Sequence, residues 1–405
     1  MSNSFSQSRP RVLIYSHDTF GLGHLRRCHA IAHSLVGNFS DMSALILSGS
    51  PIIGSFDFKS RVDFVRVPGV IKLRDGEYTS LSLHLDVEQT LAIRASIIEH
   101  TAKVFRPDIF IVDKEPTGLR GEVAQTLEVL RDMGTHNVLG LRDVLDAPEV
   151  LREEWERKHA FHAIETLYDD IWVYGLESIY DPLTDMPISA SMRKRTRFTG
   201  YLRRDVPDGD YYEPATYRNE PFILVTPGGG GDGIELVDWV MRAYEAQLQP
   251  LFPALVVLGP FMPQDKQAEF FSRAQKLRNV RMIRFTPHIE SIMEKATALV
   301  GMGGYNTFCE LLSFDKPALL VPRVVPRREQ AIRAQRAQEV GLVHTLPIEH
   351  YPDVDAITTA LAALPGQPKP SASGLHGLLH GLDRINDMAG RILRDQANEP
   401  VRAAV

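Results

Sequence analysis

The residue best suited to act as a catalyst is a histidine that follows a glycine turn near the N-terminus. His24 comes directly after Gly21-Leu22-Gly23, which joins the first apolar run of the chain to a helical pattern. An unperturbed imidazole has a pKa of about 6.5, which suits a general base. Glycines let the backbone approach a ligand closely, and the helix start offers unpaired N–H groups. We therefore predict that His24 is a base facing a ligand. A capping or packing histidine is the alternative role, and His17 is the alternative base.

Two arginines follow this histidine and restrict the choice of ligand. Arg26 and Arg27 could pair with phosphate or with an acidic acceptor. Arg26 also occupies the position at which a dinucleotide-binding turn has its third glycine, and Asp41 precedes the second predicted strand instead of ending it. The sequence therefore disfavours NAD or FAD as a cofactor.

Two further glycine turns lie in the second half of the chain. Residues 228–231 are all glycine, and their unshielded N–H groups suit a diphosphate. The lysine of an ATP-binding Walker A loop is missing after them, so ATPase chemistry is disfavoured. Gly303-Gly304 opens a helix carrying Glu310, whose carboxylate can accept hydrogen bonds from the vicinal hydroxyls of a ribose. A local ion pair is the alternative role of Glu310.

Acidic residues end two apolar runs of the first half. Asp113 and Asp143 each follow a predicted strand, at the edge where parallel sheets bind ligands. Either could assist His24 or orient an acceptor hydroxyl, and turn formation at a strand end is the alternative. Asp208-Gly209-Asp210 imitates a metal-binding motif, but no apolar run flanks it, so we expect no metal.

Buried strands that alternate with helices must position these residues. The predicted strands of the first half are residues 12–15, 44–47, 62–67, 109–112, 138–141 and 171–174, and those of the second half are 222–226, 255–258, 282–285, 298–300 and 318–321. Continuous apolar strands separated by helices indicate parallel sheets covered on both faces. We predict an α/β fold of two Rossmann-like, doubly wound domains facing each other across a cleft.

A polar segment after residue 200 indicates the domain boundary. We expect an N-terminal domain over residues 1–203 and a C-terminal domain over residues 204–374. A last helix from about residue 375 to 394, within the segment 375–405, is expected to pack back towards the N-terminal domain.

Composition excludes several classes of protein. Of the 405 residues, 44% are hydrophobic and 24% charged, an ordinary globular balance, and the net charge of -6 argues against nucleic acid as a partner. Two distant cysteines, Cys28 and Cys309, suit a reducing compartment. No signal peptide or membrane-spanning run is evident, so a cytoplasmic protein is predicted. The basic cluster Arg193-Lys194-Arg195 could contact an anionic membrane weakly, and a solvated loop is the alternative.

Residues 285–342 resemble the donor-binding half of GT-B glycosyltransferases, and most of all the family 28-like N-acetylglucosaminyltransferases of peptidoglycan synthesis. The family pattern has a glycine- or serine-rich turn, a helix with a ribose-binding glutamate, an apolar strand ending in proline, and a helix start with glutamine. Here these parts are Gly303-Gly304, Glu310, residues 319–322 and Glu329-Gln330. Residues 20–28 are also similar to UDP-sugar hydrolases of pseudaminic acid synthesis.

The resemblance implies that residues 1–203 form the acceptor domain and residues 204–374 the donor domain. It also implies a set of donor-binding residues. In chain order they are Gly21, Gly23, Gly229, Gly230, His288, Ile289, Gly303, Gly304, Asn306, Glu310, Arg328, Glu329 and Gln330. Glu310 would bind the ribose, Asn306 and the glycines would lie near the diphosphate, and Gln330 would reach sugar hydroxyls. His288 and Ile289 would contact the base, which in this family is usually uracil. Residues 323–328 are more basic than the family pattern, which favours a negatively charged donor or acceptor.

These observations predict a metal-independent, cofactor-free glycosyltransferase. It would move a hexosyl or N-acetylhexosaminyl group from a UDP-sugar to an acceptor hydroxyl, with inversion and with His24 as the base. The resemblance places such an enzyme in envelope or polysaccharide biosynthesis. A UDP-sugar hydrolase, an epimerase or a non-catalytic nucleotide-sugar binding protein of the same fold are the alternatives.

Overall fold

The computed structural model describes residues 9–17, 23–72, 78–206, 220–229 and 231–398. Gly21, Gly230 and Asp208-Gly209-Asp210 therefore lie outside the described residues.

The N-terminal part contains a seven-stranded parallel sheet and a small antiparallel pair of strands. Its strands are β1 (Arg11–Ser16), β2 (Ser43–Ser48), β3 (Val62–Arg66), β4 (Val70–Lys72), β5 (Tyr78–Ser80), β6 (Ile109–Asp113), β7 (His136–Arg142), β8 (Asp170–Tyr174) and β9 (Thr196–Phe198). Strands β4 and β5 form the separate pair. The six helices are α1 (Gly23–Asn38), α2 (Val87–Phe105), α3 (Ala124–Asp132), α4 (Pro148–Arg157), α5 (Ala160–Leu167) and α6 (Ala190–Arg195).

The C-terminal part contains a six-stranded parallel sheet. Its strands are β10 (Ile223–Thr226), β11 (Ala254–Val257), β12 (Val280–Ile283), β13 (Ala298–Gly301), β14 (Ala318–Leu320) and β15 (His344–Thr345). Its helices are α7 (Ile234–Ala246), α8 (Gln264–Ala274), α9 (Ile289–Lys295), α10 (Tyr305–Ser313), α11 (Glu329–Glu339) and α12 (Val354–Ala363). A further helix, α13 (Gly381–Asn398), follows them in the chain.

Both sheets have the strand order of a doubly wound fold. The N-terminal order is β3-β2-β1-β6-β7-β8-β9, and the C-terminal order is β12-β11-β10-β13-β14-β15. In each sheet the chain reverses its direction of winding beside the first strand, between β1 and β6 and between β10 and β13. A crevice forms at such a switch point, outside the carboxyl ends of the strands. The predicted α/β fold of two Rossmann-like halves is confirmed.

Alternation along the strands creates a core on each face of the N-terminal sheet. Val12 and Ile14 of β1 point into one hydrophobic cluster, and Leu13 and Tyr15 point into the other. The first cluster also contains Leu224 of β10. Burial of apolar surface therefore runs continuously from one sheet to the other and stabilises their packing.

The chain passes between the two parts twice, at neighbouring positions. The Tyr201 N–H donates to the Leu378 carbonyl, and the Gly381 N–H donates to the Tyr201 carbonyl. Helix α13 then lies against α1, where the Asn386 amide donates to the Ser34 hydroxyl at 3.0 Å. The predicted boundary at residues 203 and 204 stays a prediction, because residues 207–219 lie outside the described residues.

Several elements differ from the sequence-based expectations. The last helix begins at Gly381 and not at residue 375. The pair of β4 and β5, and helices α4 to α6, were not predicted, since short amphipathic segments of this kind lack a long periodic pattern. Among the described residues, no helix combines the length and apolar character needed to cross a membrane.

Gly200, at the first crossing between the two parts, should tolerate no side chain. Its φ is +87°, and a Cβ would lie 2.7 Å from the Gly377 carbonyl oxygen. We expect Gly200→Ala to lower the free energy of unfolding by roughly 1–3 kcal/mol, because a left-handed backbone and a steric clash both oppose it. Urea denaturation followed by circular dichroism measures the change.

Gly37→Ala is the matched control. Gly37 lies in α1, and no atom of the described residues outside its own helical turn stands within 4 Å of the place that a Cβ would take. A helical glycine replaced by alanine should be neutral or stabilising. Equal stability of the two variants would contradict the strain assigned to Gly200.

Candidate functional site

A cleft of about 490 Å³ lies where the carboxyl ends of the two sheets face each other. Residues of both parts line it, from the start of α1 on one side to the starts of α9, α10 and α11 on the other. The predicted site residues that line the cleft are Gly23, His24, Gly229, Ile289, Gly304, Asn306, Glu310, Glu329 and Gln330.

His24 forms a hydrogen-bonded dyad with Asp113. Its Nδ1 lies 2.5 Å from Asp113 Oδ2. Arg27 Nε donates to Asp113 Oδ1 at 2.7 Å, and Arg27 Nη2 donates to Oδ2 at 2.6 Å. The carboxylate at the end of β6 thereby holds both side chains of α1. The sequence analysis predicts that either of two acids, one of them Asp113, assists His24. The structure brings Asp113 and His24 together.

The dyad determines which nitrogen of His24 is basic. A contact of this length between Nδ1 and a carboxylate oxygen requires a proton, and Asp113 has none to give, because Arg27 and His24 hold the pKa of this carboxyl well below its usual range despite its burial. We therefore assign the proton to Nδ1, which leaves the lone pair on Nε2. Burial lowers the pKa of His24 to about 4, and Asp113 opposes that decrease. The imidazole is consequently neutral at pH 7 and can accept a proton.

His17, the alternative base, lies behind His24. The two ring centroids are 5.6 Å apart and the rings are nearly perpendicular. His17 is 6% exposed, and burial lowers its pKa well below the ordinary value. His24 lines the cleft and His17 does not, so the geometry favours His24 as the base.

Glu310 is bound by an arginine from the opposite part of the protein. Arg26 Nη1 lies 2.6 Å from Glu310 Oε1, and the same guanidinium donates to Glu290 Oε1. One cation therefore serves two carboxylates. Burial and the nearby Glu290 raise the pKa of Glu310, and Arg26 opposes this. The contact between Arg26 and Glu310 Oε1 is close but is not aligned as a hydrogen bond, and no other described residue donates to this oxygen. The carboxylate can therefore still accept hydrogen bonds from a ligand.

The glycine turns bring helix starts to the cleft. Gly228 adopts a φ of +78°, which turns the chain from β10 towards α7. Gly233 precedes α7 and Gly304 precedes α10, and neither helix start is capped by a side chain of the described residues. Their N–H groups and the positive ends of the helix dipoles therefore suit an anion.

Asn306 bridges the two parts rather than pointing only at a ligand. Its Nδ2 donates to the Gly23 carbonyl at 3.1 Å, and its Oδ1 accepts from Arg204 Nη2 at 2.9 Å. It still lines the cleft beside the start of α10.

The start of α11 supplies polar groups to the same cleft. Glu329 Oε1 accepts from Arg323 Nη2 at 2.7 Å, and Gln330 Oε1 accepts from the Arg323 N–H at 3.2 Å. Glu329 Oε2 is buried and has no hydrogen-bond partner among the described residues. This oxygen can therefore accept a hydroxyl of a bound sugar.

Asp143, the second acid predicted to assist His24, has a different place. Arg333 of α11 binds it through Nε at 2.8 Å and Nη2 at 2.6 Å, and the Tyr201 hydroxyl donates to it at 3.0 Å. Asp143 is 1% exposed and does not line the cleft. Arg333 and Tyr201 occupy both oxygens of Asp143, so this carboxylate binds the opposite part of the protein and does not pair with His24.

Three other predicted residues do not line the cleft. Gly303 lies behind it, with its carbonyl accepting from Arg333 Nη1 at 2.9 Å. The Arg328 N–H donates to Asp146 at 2.9 Å, and its side chain is exposed. His288 immediately precedes α9, while its neighbour Ile289 lines the cleft.

Three cleft residues were assigned no role from the sequence. Phe261, beside Gly229, and Phe285, four residues before Ile289, line the cleft, but isolated aromatic residues carry no spacing signal. Arg142, the last residue of β7, also lines it. Its position at a strand end predicts that it faces the cleft, but a role was predicted only for the adjacent Asp143. No group of three potential metal-ligating side chains occurs within the ranges that the structure covers.

Fold and cleft together define a two-domain protein of the GT-B class. Residues 235–346 match the glycosyltransferase family 28 C-terminal domain. No curated protein sequence matches the chain. The predicted resemblance to GT-B glycosyltransferases is confirmed.

Solved structures share this fold at low sequence identity. The glycotransferase of kitacinnamycin has a TM-score of 0.65 and 17% identity, over 95% of this chain and 100% of that chain. MurG of Acinetobacter baumannii has a TM-score of 0.59 and 13% identity, over 94% and 99%. UGT2 of Phytolacca americana, complexed with UDP-2-fluoroglucose and pterostilbene, has a TM-score of 0.61 and 13% identity, over 96% and 99%. The matched domain and the shared fold support a glycosyltransferase.

The Asp143–Arg333 pair should dominate the stability of the contact between the two parts. Arg333→Met leaves a buried carboxylate without its cation, so we expect a loss of about 3–5 kcal/mol in the free energy of unfolding. Arg336→Met is the control on the same helix, because Arg336 is half exposed and pairs with Glu339 at the surface. It should cost at most about 1 kcal/mol. Similar urea midpoints for the two variants would refute the importance of the buried pair.

Proposed function

We propose that this protein transfers a sugar from a UDP-sugar to an acceptor hydroxyl, with inversion at the anomeric carbon. The observation that carries the proposal is the His24–Asp113 dyad, which faces the glycine turns and Glu310 across one cleft. The family 28 match over residues 235–346 supports the donor side of this assignment.

Glu310 is proposed to bind the ribose of the donor. It is a buried carboxylate whose ion-pair partner, Arg26, also binds Glu290, so its charge is incompletely compensated. Two vicinal hydroxyls would supply the missing donors. Arg26 must shift its contact from Glu310 when the ribose enters, and Glu290 remains as its partner.

The diphosphate is proposed to lie at the starts of α7 and α10. Their uncapped N–H groups and dipoles would compensate the charge of the leaving group, so no metal ion is required. Ile289, with Phe285, lines the end of the cleft where the resemblance places the base. Uracil is the base that the resemblance favours.

The chemical step uses the dyad as a general base. The acceptor hydroxyl gives its proton to His24 Nε2 while its oxygen bonds to the anomeric carbon, and the bond from that carbon to the β-phosphate oxygen breaks. Asp113 stays ionised and stabilises the imidazolium through Nδ1. Displacement in one step inverts the configuration of that carbon. Glu329 and Gln330 are proposed to hold hydroxyls of the transferred sugar.

The resemblance to peptidoglycan enzymes favours a cytoplasmic role in the synthesis of an envelope polysaccharide. The same dyad could instead activate water, which would make the protein a hydrolase. Mass spectrometry of the sugar products from a panel of UDP-sugars, with and without hydroxyl acceptors, separates the two. Free sugar formed equally fast under both conditions would contradict transfer.

Binding and turnover should respond to different residues. We expect Glu310→Gln to weaken UDP binding roughly tenfold or more, because it removes a charged hydrogen-bond acceptor. His24→Ala should leave UDP affinity unchanged and slow sugar transfer by about 10²–10⁴-fold, since it removes the base. Calorimetry with UDP, and UDP release in the presence of EDTA, measure the two effects.

Exposed residues of the same types provide the controls. Glu349→Gln and His162→Ala change surface side chains, so both should behave as wild type. Unchanged UDP affinity in Glu310→Gln would remove the ribose assignment, and full turnover in His24→Ala would remove the base.

The acidic limb of the pH–rate profile should reflect the lowered pKa of His24. The base acts when neutral, and its pKa is about 4 in the folded protein. Activity should therefore rise with pH through about 4 and be flat by about pH 6, where an ordinary imidazole is still largely protonated. A profile of kcat/KM against pH tests this, and a limb centred at about 6.5, the ordinary value, would contradict the buried dyad.

A further inference from the structure

Among the described residues, Arg142 is the arginine of the cleft whose guanidinium has no protein partner. Arg26, Arg27 and Arg323 also line the cleft, and each forms an ion pair with at least one carboxylate. Within the described ranges, no carboxylate lies within 4 Å of the Arg142 guanidinium, and its buried Nε has no hydrogen-bond partner. A positive group of this kind is available to a ligand.

The carboxylates near Arg142 are committed elsewhere. Asp143, its neighbour in the chain, is bound by Arg333. Glu329, which faces Arg142 across the cleft, is bound by Arg323. Burial lowers the pKa of Arg142 to about 10, and the positive charges of Arg27 and Arg333 add to the decrease. Burial and the nearby positive charges therefore make the charged form of Arg142 less favourable, and an anionic ligand would stabilise it.

The location of Arg142 separates it from the proposed diphosphate site. It ends β7 in the N-terminal sheet, on the side of His24, whereas the uncapped starts of α7 and α10 belong to the C-terminal part. Among charged residues, Glu329, at the proposed sugar end of the donor site, has the strongest electrostatic interaction with Arg142. Arg142 thus faces the reacting groups more than the leaving group.

The basic segment that the sequence singled out is largely neutralised. Arg323 binds Glu329 and Asp232, and Arg327 binds Glu154 and Asp146. The uncompensated positive charge of the cleft therefore resides at Arg142, outside residues 323–328.

We propose that Arg142 binds a carboxylate or phosphate group carried by the transferred sugar or by the acceptor, and so gives the enzyme a preference for an anionic substrate. This inference rests on the proposed function, because it assumes that UDP occupies the C-terminal side of the cleft. A guanidinium can bind either anion through two parallel hydrogen bonds.

Calorimetry with three ligands tests the donor as the source of the anion. Wild-type protein should bind UDP-glucuronate roughly tenfold or more tightly than UDP-glucose, which corresponds to one charge-assisted hydrogen bond. Arg142→Met should abolish this preference and leave the affinity for UDP unchanged. Arg142→Lys should keep part of it, since the charge remains.

Inorganic phosphate tests the acceptor as the source. If the anion belongs to the acceptor, phosphate should bind to UDP-saturated wild-type protein, and Arg142→Met should lose that binding. Arg157→Met is the matched control in both experiments, because Arg157 is an exposed residue at the end of α4. It should behave as wild type.

Four results would overturn the inference. A loss of UDP affinity in Arg142→Met would assign Arg142 to the diphosphate. Absence of both the glucuronate preference and the phosphate binding in wild-type protein would leave it without an anion. A ligand-free Arg142→Met protein that melts several degrees below Arg157→Met would assign it a structural role. Failure of wild-type protein to bind UDP would overturn the proposed function as well, which distinguishes that case from the other three.

Discussion

The buried ion pair between Asp143 and Arg333 fixes the geometry on which the cleft depends. It joins the end of β7 to the middle of α11, so the start of α11, with Glu329 and Gln330, has a set position opposite His24. Burying two charges is favourable only when the geometry is good and the remaining polar atoms are satisfied. Both conditions are met here, since the Tyr201 hydroxyl donates a further hydrogen bond to the carboxylate and the Gly303 carbonyl accepts one from the guanidinium.

Arginine–carboxylate pairing recurs around the cleft, and its completeness separates structural groups from groups that can meet a ligand. Asp113 has both oxygens occupied by Arg27 and His24, so it can orient the imidazole but has little capacity left for substrate. Glu310 has only a share of Arg26. The first arrangement suits a residue that acts through its neighbour, and the second suits a residue that exchanges a protein partner for a ligand.

Local patterns were sufficient to predict most strands of the two parallel sheets, but not β9, β15 or the pair of β4 and β5. Apolar runs and glycine turns lie within a few residues of one another, so they determine where β1, β10 and their following helices begin. The pairing of acids was beyond such patterns. Asp113 and Asp143 both end strands of one sheet, and their roles differ because Asp143 meets an arginine 190 residues away in sequence. The sequence around a strand end does not reveal which distant side chain will contact the acid there.

Charge in a segment is also a poor guide to charge in a cleft. Residues 323–328 contain three arginines in sequence, yet the pairs formed by Arg323 and Arg327 cancel much of their field. Arg142 is unpaired among the described residues although Asp143 is next to it in the chain, because Asp143 is bound to Arg333. It therefore contributes more unpaired positive charge to the cleft than Arg323 or Arg327. The potential that a substrate meets depends on which charges remain unpaired after folding.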